Sequence, residues 1–170
     1  VQDLEGFSRA RTSIFRLVAD DWQTLKDLRL QALTESSESF LGDLLAEQDY
    51  DEKHWRQELS RNVWLMATFD TRKIGLAKLN HNVQPDDGMH LEALWVAPDN
   101  RRQKVGKLLV SALENIAAAM DAPQLKLWVF AENDLAREFY LQMGYMETLR
   151  KQPIKANGRI RLEEEYQKQL

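Results

Sequence analysis

The reading of the chain turns on the stretch from His90 to Gly106, HLEALWVAPDNRRQKVG, and the KLLVSALENIAAAM that follows it. It opens as a strand. Leu91, Ala93 and Trp95 alternate with His90, Glu92, Leu94 and Val96, the period of two that gives a strand its faces. Pro98, Asp99 and Asn100 then break it, because proline has no amide to donate to a ladder and Asp and Asn favour turns. From Lys104 the period changes. Val105, Leu108, Leu109, Ala112, Leu113, Ile116, Ala117 and Met120 recur at helical spacing and predict a long helix with a broad apolar face. Between strand and helix, Arg101, Arg102, Gln103, Lys104, Val105, Gly106 and Lys107 make a basic loop that runs into the helix start. The first amides of a helix have no partner within it and its dipole is positive there, so the loop suits an anion, pyrophosphate above all.

The second informative block is LKLWVFAENDLAREFYLQMGY, Leu125 to Tyr145. Leu125, Leu127 and Val129 predict a strand within a run apolar enough to be buried on both faces. Asn133 or Asp134 can cap a short helix that stops at Gly144. The loop motif, R-x-x-K-x-G, is neither the G-x-x-x-x-G-K-[ST] nor the G-x-G-x-x-G phosphate signature.

Taken together, the two blocks resemble the GNAT N-acetyltransferases. Arg101 to Gly106 is similar to the Q/R-x-x-G-x-G/A signature whose loop wraps the pyrophosphate of acetyl-CoA, with Lys104 standing where the first glycine is usual. The N-x-x-A-x-x-x-Y spacing of Asn133, Ala136 and Tyr140, followed by Met143-Gly144-Tyr145, is the more specific of the two motifs. The likeness is sharp over Leu91 to Tyr145 and topological over most of the remainder.

Outward from this core, Val1 to Arg11 reads as a polar lead-in and Thr12 to Val18 as a first strand. Asp20 or Asp21 is expected to cap a helix through Leu33, its apolar positions filled by Trp22, Leu25, Leu28, Leu30 and Leu33. The acidic segment ESSESFLGDLLAEQDYDEKHWRQEL predicts helix, loop, helix. Asn62–Phe69 and Ile74–Asn80 read as strands joined by the turn Asp70–Lys73, and Gln84–Gly88 as a further turn. Met146–Gln152 and Arg159 to about Tyr166 are the last strands, joined at Asn157-Gly158. The expected order is β-α-α-β-β-β-α-β-α-β-β. The resemblance implies an α/β (α+β) GNAT fold: a mixed, strongly twisted sheet of about seven strands with about four helices on both faces. It divides one domain, 1–170, into an acceptor-side half at about 12–90, an acetyl-CoA-binding core at about 91–145 and C-terminal strands at 146–170.

Composition bounds the function. The absence of cysteine removes disulfides, thiolate metal sites and a cysteine nucleophile, and is compatible with a reducing compartment. A formal charge of −4 argues against nucleic acid as the main partner, since such proteins leave a basic footprint. No apolar run approaches the length of a membrane span and no signal peptide is visible, so a cytoplasmic protein without a membrane partner is expected. No His/Glu spacing suggests a metal.

The resemblance implies acetyl transfer from acetyl-CoA to a primary amine of a small molecule or peptide, by direct attack on the thioester. The alternative is a GNAT-like acyl-CoA-binding or regulatory module without turnover. It further implies that the main chain of Leu94, Trp95 and Val96 pairs with the pantetheine arm, that Arg101–Lys107 holds the pyrophosphate, and that Asn133 hydrogen-bonds the pantetheine or the sulfur region. Tyr140 matches the tyrosine that protonates the departing thiolate. A lysine-like ammonium, with a pKa of about 10.4, must lose a proton before it attacks. Glu92 and His90, two apart on one strand and so on one face, are the expected bases, and either can serve. His54 and His81 are given no role. A dimer through the C-terminal strands is a habit of the family.

Overall fold

The computed structural model describes residues 12–81, 88–156 and 158–170. The lead-in Val1–Arg11, positions 84–87 of the expected turn and Asn157 lie outside the described residues. One seven-stranded sheet has the order β1-β2-β3-β4-β5-β7-β6, with β1 at Thr12–Arg16, β2 at Val63–Phe69, β3 at Arg72–Asn80, β4 at Met89–Val96, β5 at Gln124–Phe130, β6 at Met146–Ala156 and β7 at Arg159–Gln169. All neighbours are antiparallel except β4 and β5, which the long helix α4 at Val105–Ala119 connects. The last two strands outrun expectation because β6 and β7 are each other's partners along most of their length, so polar residues past Gln152 and Tyr166 stay in the ladder.

Two cores lie on opposite faces. On one, α4 lays Val105, Leu109, Val110, Leu113 and Ala117 against Leu65, Ala77, Leu79, Leu127 and Val129, with Tyr140 of α5 (Asp134–Gln142) closing the end. On the other, α1 (Trp22–Glu35) and α3 (Glu52–Arg61) bury Leu25, Leu28, Leu33, Trp55 and Leu59 against Trp64, Leu76 and Trp95. A short helix, α2 at Leu44–Gln48, lies between α1 and α3. It is tied to α1 by a two-pronged Arg29–Glu47 pair, 2.8 Å at each prong, the strong geometry for guanidinium and carboxylate. Asp21 precedes α1 as expected, but its carboxylate accepts from the Val18 amide at 2.8 Å instead of capping the helix. None of the helices in the described residues is long and apolar enough to cross a membrane.

The central strand corrects the sequence reading. Strict alternation would put Leu91, Ala93 and Trp95 on one face. Instead Leu91, Leu94 and Val96 pack with the α4 core, while Ala93 and Trp95 pack with the α1–α3 core. The cause is a bulge: Leu76 pairs with Trp95 and Lys78 with Glu92, so Ala77 alone stands opposite both Ala93 and Leu94. The extra residue inverts the phase of all that follows it. Ala93 takes the left-handed conformation the bulge demands, at φ 53°.

Beyond that bend the parallel partners separate. β4 and β5 share only the pairs Met89↔Leu125 and His90↔Lys126. The sheet therefore forks after His90. A β-branched side chain is poorly tolerated at positive φ, so Ala93→Val should lower unfolding free energy by about 1–3 kcal/mol in a urea titration, whereas Ala93→Gly should be near neutral.

Candidate active site

A cleft of about 520 Å³ fills the fork. Its β4 wall is His90, Leu91, Glu92, Ala93 and Leu94; its β5 wall is Trp128, Val129 and Phe130. Phe40, Leu41, Gly42 and Glu47 around α2, with Tyr50, His54, Trp55 and Glu58 at α3, close one side, and Asn133, Ala136 and Tyr140 of the α5 region close another. Gln152, Ile154 and Glu163 reach in from β6 and β7.

Charge on the β4 side is already paired. The Lys78 ammonium lies 3.1 Å from Glu92 and 3.4 Å from Glu58, and 5.5 Å from the centre of the Trp64 ring. Asn80 donates a further bond to Glu92 at 3.0 Å. His90 is buried beneath, on the same strand. Both expected bases thus line the cleft, and Glu92 stands inside an ion pair.

On the far side Asn133 caps α5, its side-chain oxygen accepting from the Ala136 amide at 3.2 Å. Gly144 ends that segment at φ 89°, the left-handed stop read from the sequence. Tyr140 is held between Phe139 and Tyr145, whose ring centroids lie 5.2 and 5.7 Å away, edge to face. Its burial pushes the phenol above its ordinary value of 10, because the phenolate would lose its hydration.

Glu163, to which no role is given above, is buried at 4% exposure, and burial holds its carboxyl above the ordinary carboxylate value of 4.5. Its hydrogen-bond donor is the neutral amide of Gln152, at 3.1 Å. The next two residues are buried as well, but Glu164 meets Lys151 at 2.6 Å and Glu165 meets Arg150 at 2.8 Å. Three consecutive acids within a strand were the available signal. Alternation makes Glu163 and Glu165 share a face, and a strand in mid-sheet cannot leave such residues all solvated.

The basic loop lies outside the cleft, at the mouth of the fork. Arg102 and Lys104 both take left-handed backbone, at φ 61° and 66°, and Lys104 is the residue before the first turn of α4, with no side chain capping the helix. The glycine slot is thus a left-handed position, held here by a residue with a Cβ. Arg101 turns back, donating to the Val96 carbonyl at 2.9 Å and to Ser36 at 3.1 Å. Gln103 donates to the Asp99 carbonyl at 3.0 Å, and Lys107 is exposed. A Cβ added to Gly106 would meet nothing closer than Phe139 at 3.5 Å and Val96 at 3.8 Å, so packing within the chain does not require glycine there. Of the expected site residues, His90, Glu92, Leu94, Asn133 and Tyr140 share the cleft; Trp95 is packed in the α1–α3 core, and Val96 and Arg101–Lys107 stand along the approach. Among the described residues, no cluster of His, Cys, Asp and Glu could hold a metal ion.

Three comparisons bear on this arrangement. The family model described as Acetyltransferase (GNAT) family matches residues 22–145. No curated protein matches the chain at a significant level. Solved structures share the fold: an acetyltransferase of the GNAT family from Streptococcus pneumoniae has a TM-score of 0.75 at 15% identity, covering 94% of this chain and 100% of its own. A Salmonella typhimurium protein solved with its cofactor acetyl-CoA has a TM-score of 0.73 at 15% identity, covering 94% of each chain. A ribosomal-protein-alanine N-acetyltransferase from Brucella melitensis has a TM-score of 0.68 at 19% identity, covering 93% of this chain and 99% of its own.

The buried carboxyl of Glu163 gives a test that needs no substrate. A carboxyl whose value is raised by folding favours the folded state below its unfolded value, and that contribution is lost as pH rises through the folded value. Glu163→Gln should therefore raise the melting temperature at neutral pH, and the gain should vanish as pH falls below 4.5. Scanning calorimetry across that range measures it.

Proposed function

The chain belongs to the GNAT acetyltransferase family, and on that premise we propose that it transfers the acetyl group of acetyl-CoA to a primary amine that carries positive charge. The observation that carries the reading is the fork. Past His90 the edge of β4 that faces β5 has no ladder partner on that side among the described residues, and it leads from the start of α4 into the cleft, with Tyr140 in its wall. An extended arm bearing amide groups can pair with such an edge as an added strand would. The first-turn amides of α4, with Arg102, Lys104 and Lys107 around them, suit a pyrophosphate at the mouth. Gly106 supports the fit, because a glycine in a helical turn costs up to about 1 kcal/mol and nothing in the chain itself asks for it.

In this reading the amine nitrogen attacks the thioester carbonyl, the carbon–sulfur bond breaks, and the departing thiolate takes the Tyr140 proton. A phenol kept neutral by burial remains a donor throughout the ordinary working range. The acceptor's charge is argued from the wall: Glu47, Glu58, Glu92 and Glu163 stand against Arg29 and Lys78, and Tyr50, Trp55, Trp64 and Trp128 add aromatic faces. The second reading, a binding module without turnover, has Lys104 on its side, since a left-handed lysine costs about 1–2 kcal/mol that a glycine would not.

Calorimetric titration with acetyl-CoA, followed by thiol release against a panel of diamines, polyamines, aminoglycosides and lysyl peptides, separates the two. Binding with no thiol release from any amine leaves the module. Arg102→Ala should weaken acetyl-CoA about 10-fold or more, given about 1.5–3 kcal/mol for a charged hydrogen bond. Gly106→Ala should raise the melting temperature yet weaken acetyl-CoA; unchanged affinity would move the pyrophosphate elsewhere. Tyr140→Phe should leave acetyl-CoA affinity intact and lower turnover by about 10²–10⁴-fold. Any alkaline limb that it removes should lie above pH 10.

A further inference from the structure

Each carboxylate of the cleft can be asked what already holds it. Glu47 is gripped by Arg29 at both oxygens. Glu58 and Glu92 share Lys78, and each accepts a side-chain amide as well, from Asn62 at 3.2 Å and Asn80 at 3.0 Å. The oxygens of these three carboxylates are thus already engaged by a cation, and for Glu58 and Glu92 by an amide as well. Glu163 differs: the group that donates to it is the neutral Gln152 amide.

Resting on the transfer reaction proposed above, we propose that Glu163 is the base that takes the proton of the acceptor's ammonium. It lines the same cleft as Tyr140 and Asn133, from the β7 side of the fork, while the β4 edge lies across from it. Burial favours its protonated form, which strengthens it as an acceptor at neutral pH relative to a solvated glutamate. Burial outweighs the Gln152 hydrogen bond and the positive charge of Arg161, both of which draw the carboxyl down. From its own strand comes Arg161, whose guanidinium donates to Glu132 at 2.6 Å and to the Glu38 carbonyl at 2.7 Å and stacks on Phe130 at 3.4 Å. From β5 the residue paired in register is Phe130, and from β6 the neighbour is Gln152. Across the cleft lie the Arg29–Glu47 pair, the Glu58–Lys78–Glu92 group, and the His54 and His90 imidazoles.

The protons balance as follows. The ammonium gives one proton to the Glu163 carboxylate and becomes a neutral amine. The amine attacks, the carbon–sulfur bond breaks, Tyr140 protonates the thiolate, and the nitrogen's second proton restores the phenol. Glu163 returns its proton to water when the products leave.

The test is the pH profile of kcat/KM for thiol release, with whichever amine of the panel wild type acetylates, in wild type, Glu163→Gln, Glu163→Asp and Glu92→Gln. Glu163→Gln should lower kcat/KM by about 10²–10⁴-fold at neutral pH and abolish the acid limb, with acetyl-CoA affinity unchanged and the melting temperature not reduced. Glu163→Asp, which keeps a carboxyl one methylene further back, should regain the limb with part of the rate, and it carries the test should the glutamine variant misfold. Retention of the limb in Glu163→Gln, or its loss in Glu92→Gln alone, overturns the proposal while the transfer reaction stands. A wild-type protein that releases no thiol with any amine overturns the transfer reading itself, and the base with it.

Discussion

The structure depends on a parallel pair that is barely a pair. Two adjacent strands in the middle of a sheet ordinarily satisfy each other's backbone along their length, since unpaired buried amides and carbonyls are costly. Here β4 and β5 meet at two positions and then part. The parting follows the register shift at Ala93, beyond which Trp95 packs with the α1–α3 core and Leu94 and Val96 with the α4 core, while Leu127 and Val129 hold β5 on the α4–α5 core. The cleft is the space this leaves, so the depth of the site and the solvation of its walls follow from the bend.

Electrostatics within the fork are sorted by which acids receive a cation. Lys78 reaches across from β3 and neutralises charge on both Glu58 and Glu92, and the Arg29–Glu47 pair fixes the wall formed by α1 and α2. These part-buried pairs serve chiefly to hold side chains in place, because desolvation offsets much of their attraction. Glu163 falls outside that arrangement, so its protonation is set mainly by burial. Two carboxylates of one cleft, Glu92 and Glu163, thus sit in unlike surroundings.

Much of this was legible from residue patterns, and the exceptions have physical causes. The helix from Val105, the cap at Asn133 and the stop at Gly144 are local events, written in adjacent residues and readable without tertiary information. The phase reversal at Ala93 was not, because alanine is ordinary on either face and the bulge is dictated by the register with β3. The turn of Arg101 onto the Val96 carbonyl was equally hidden: a sequence shows that a charge is near the loop, not which oxygen it prefers. Glu92 and His90 were found because they lie on the decisive strand. Glu163 was missed because it enters the cleft from β7, more than 70 positions away in the chain, and only the sheet order brings it there.

That sheet order also bears on how the chain comes together. β7, the last strand of the described residues, is an interior one: it pairs with β5 through Gln124↔Gln169 to Phe130↔Glu163 on one side and with β6 on the other. Until it is inserted, β5 and β6 have nothing between them, and the two strand edges that it will join stand open to any extended chain. In the half made of β1 to β4 each strand pairs with the next in the chain, β1 with β2 across the connection that carries α1, α2 and α3, whereas β5 and β6 need the strand that follows them both. During synthesis β1 to β4 can therefore settle with α1 and α3 while β5 and β6 still lack their shared partner. Aggregation in such a protein would begin from this late-closing half, and a chaperone that shields β5 would act where the exposure lasts longest.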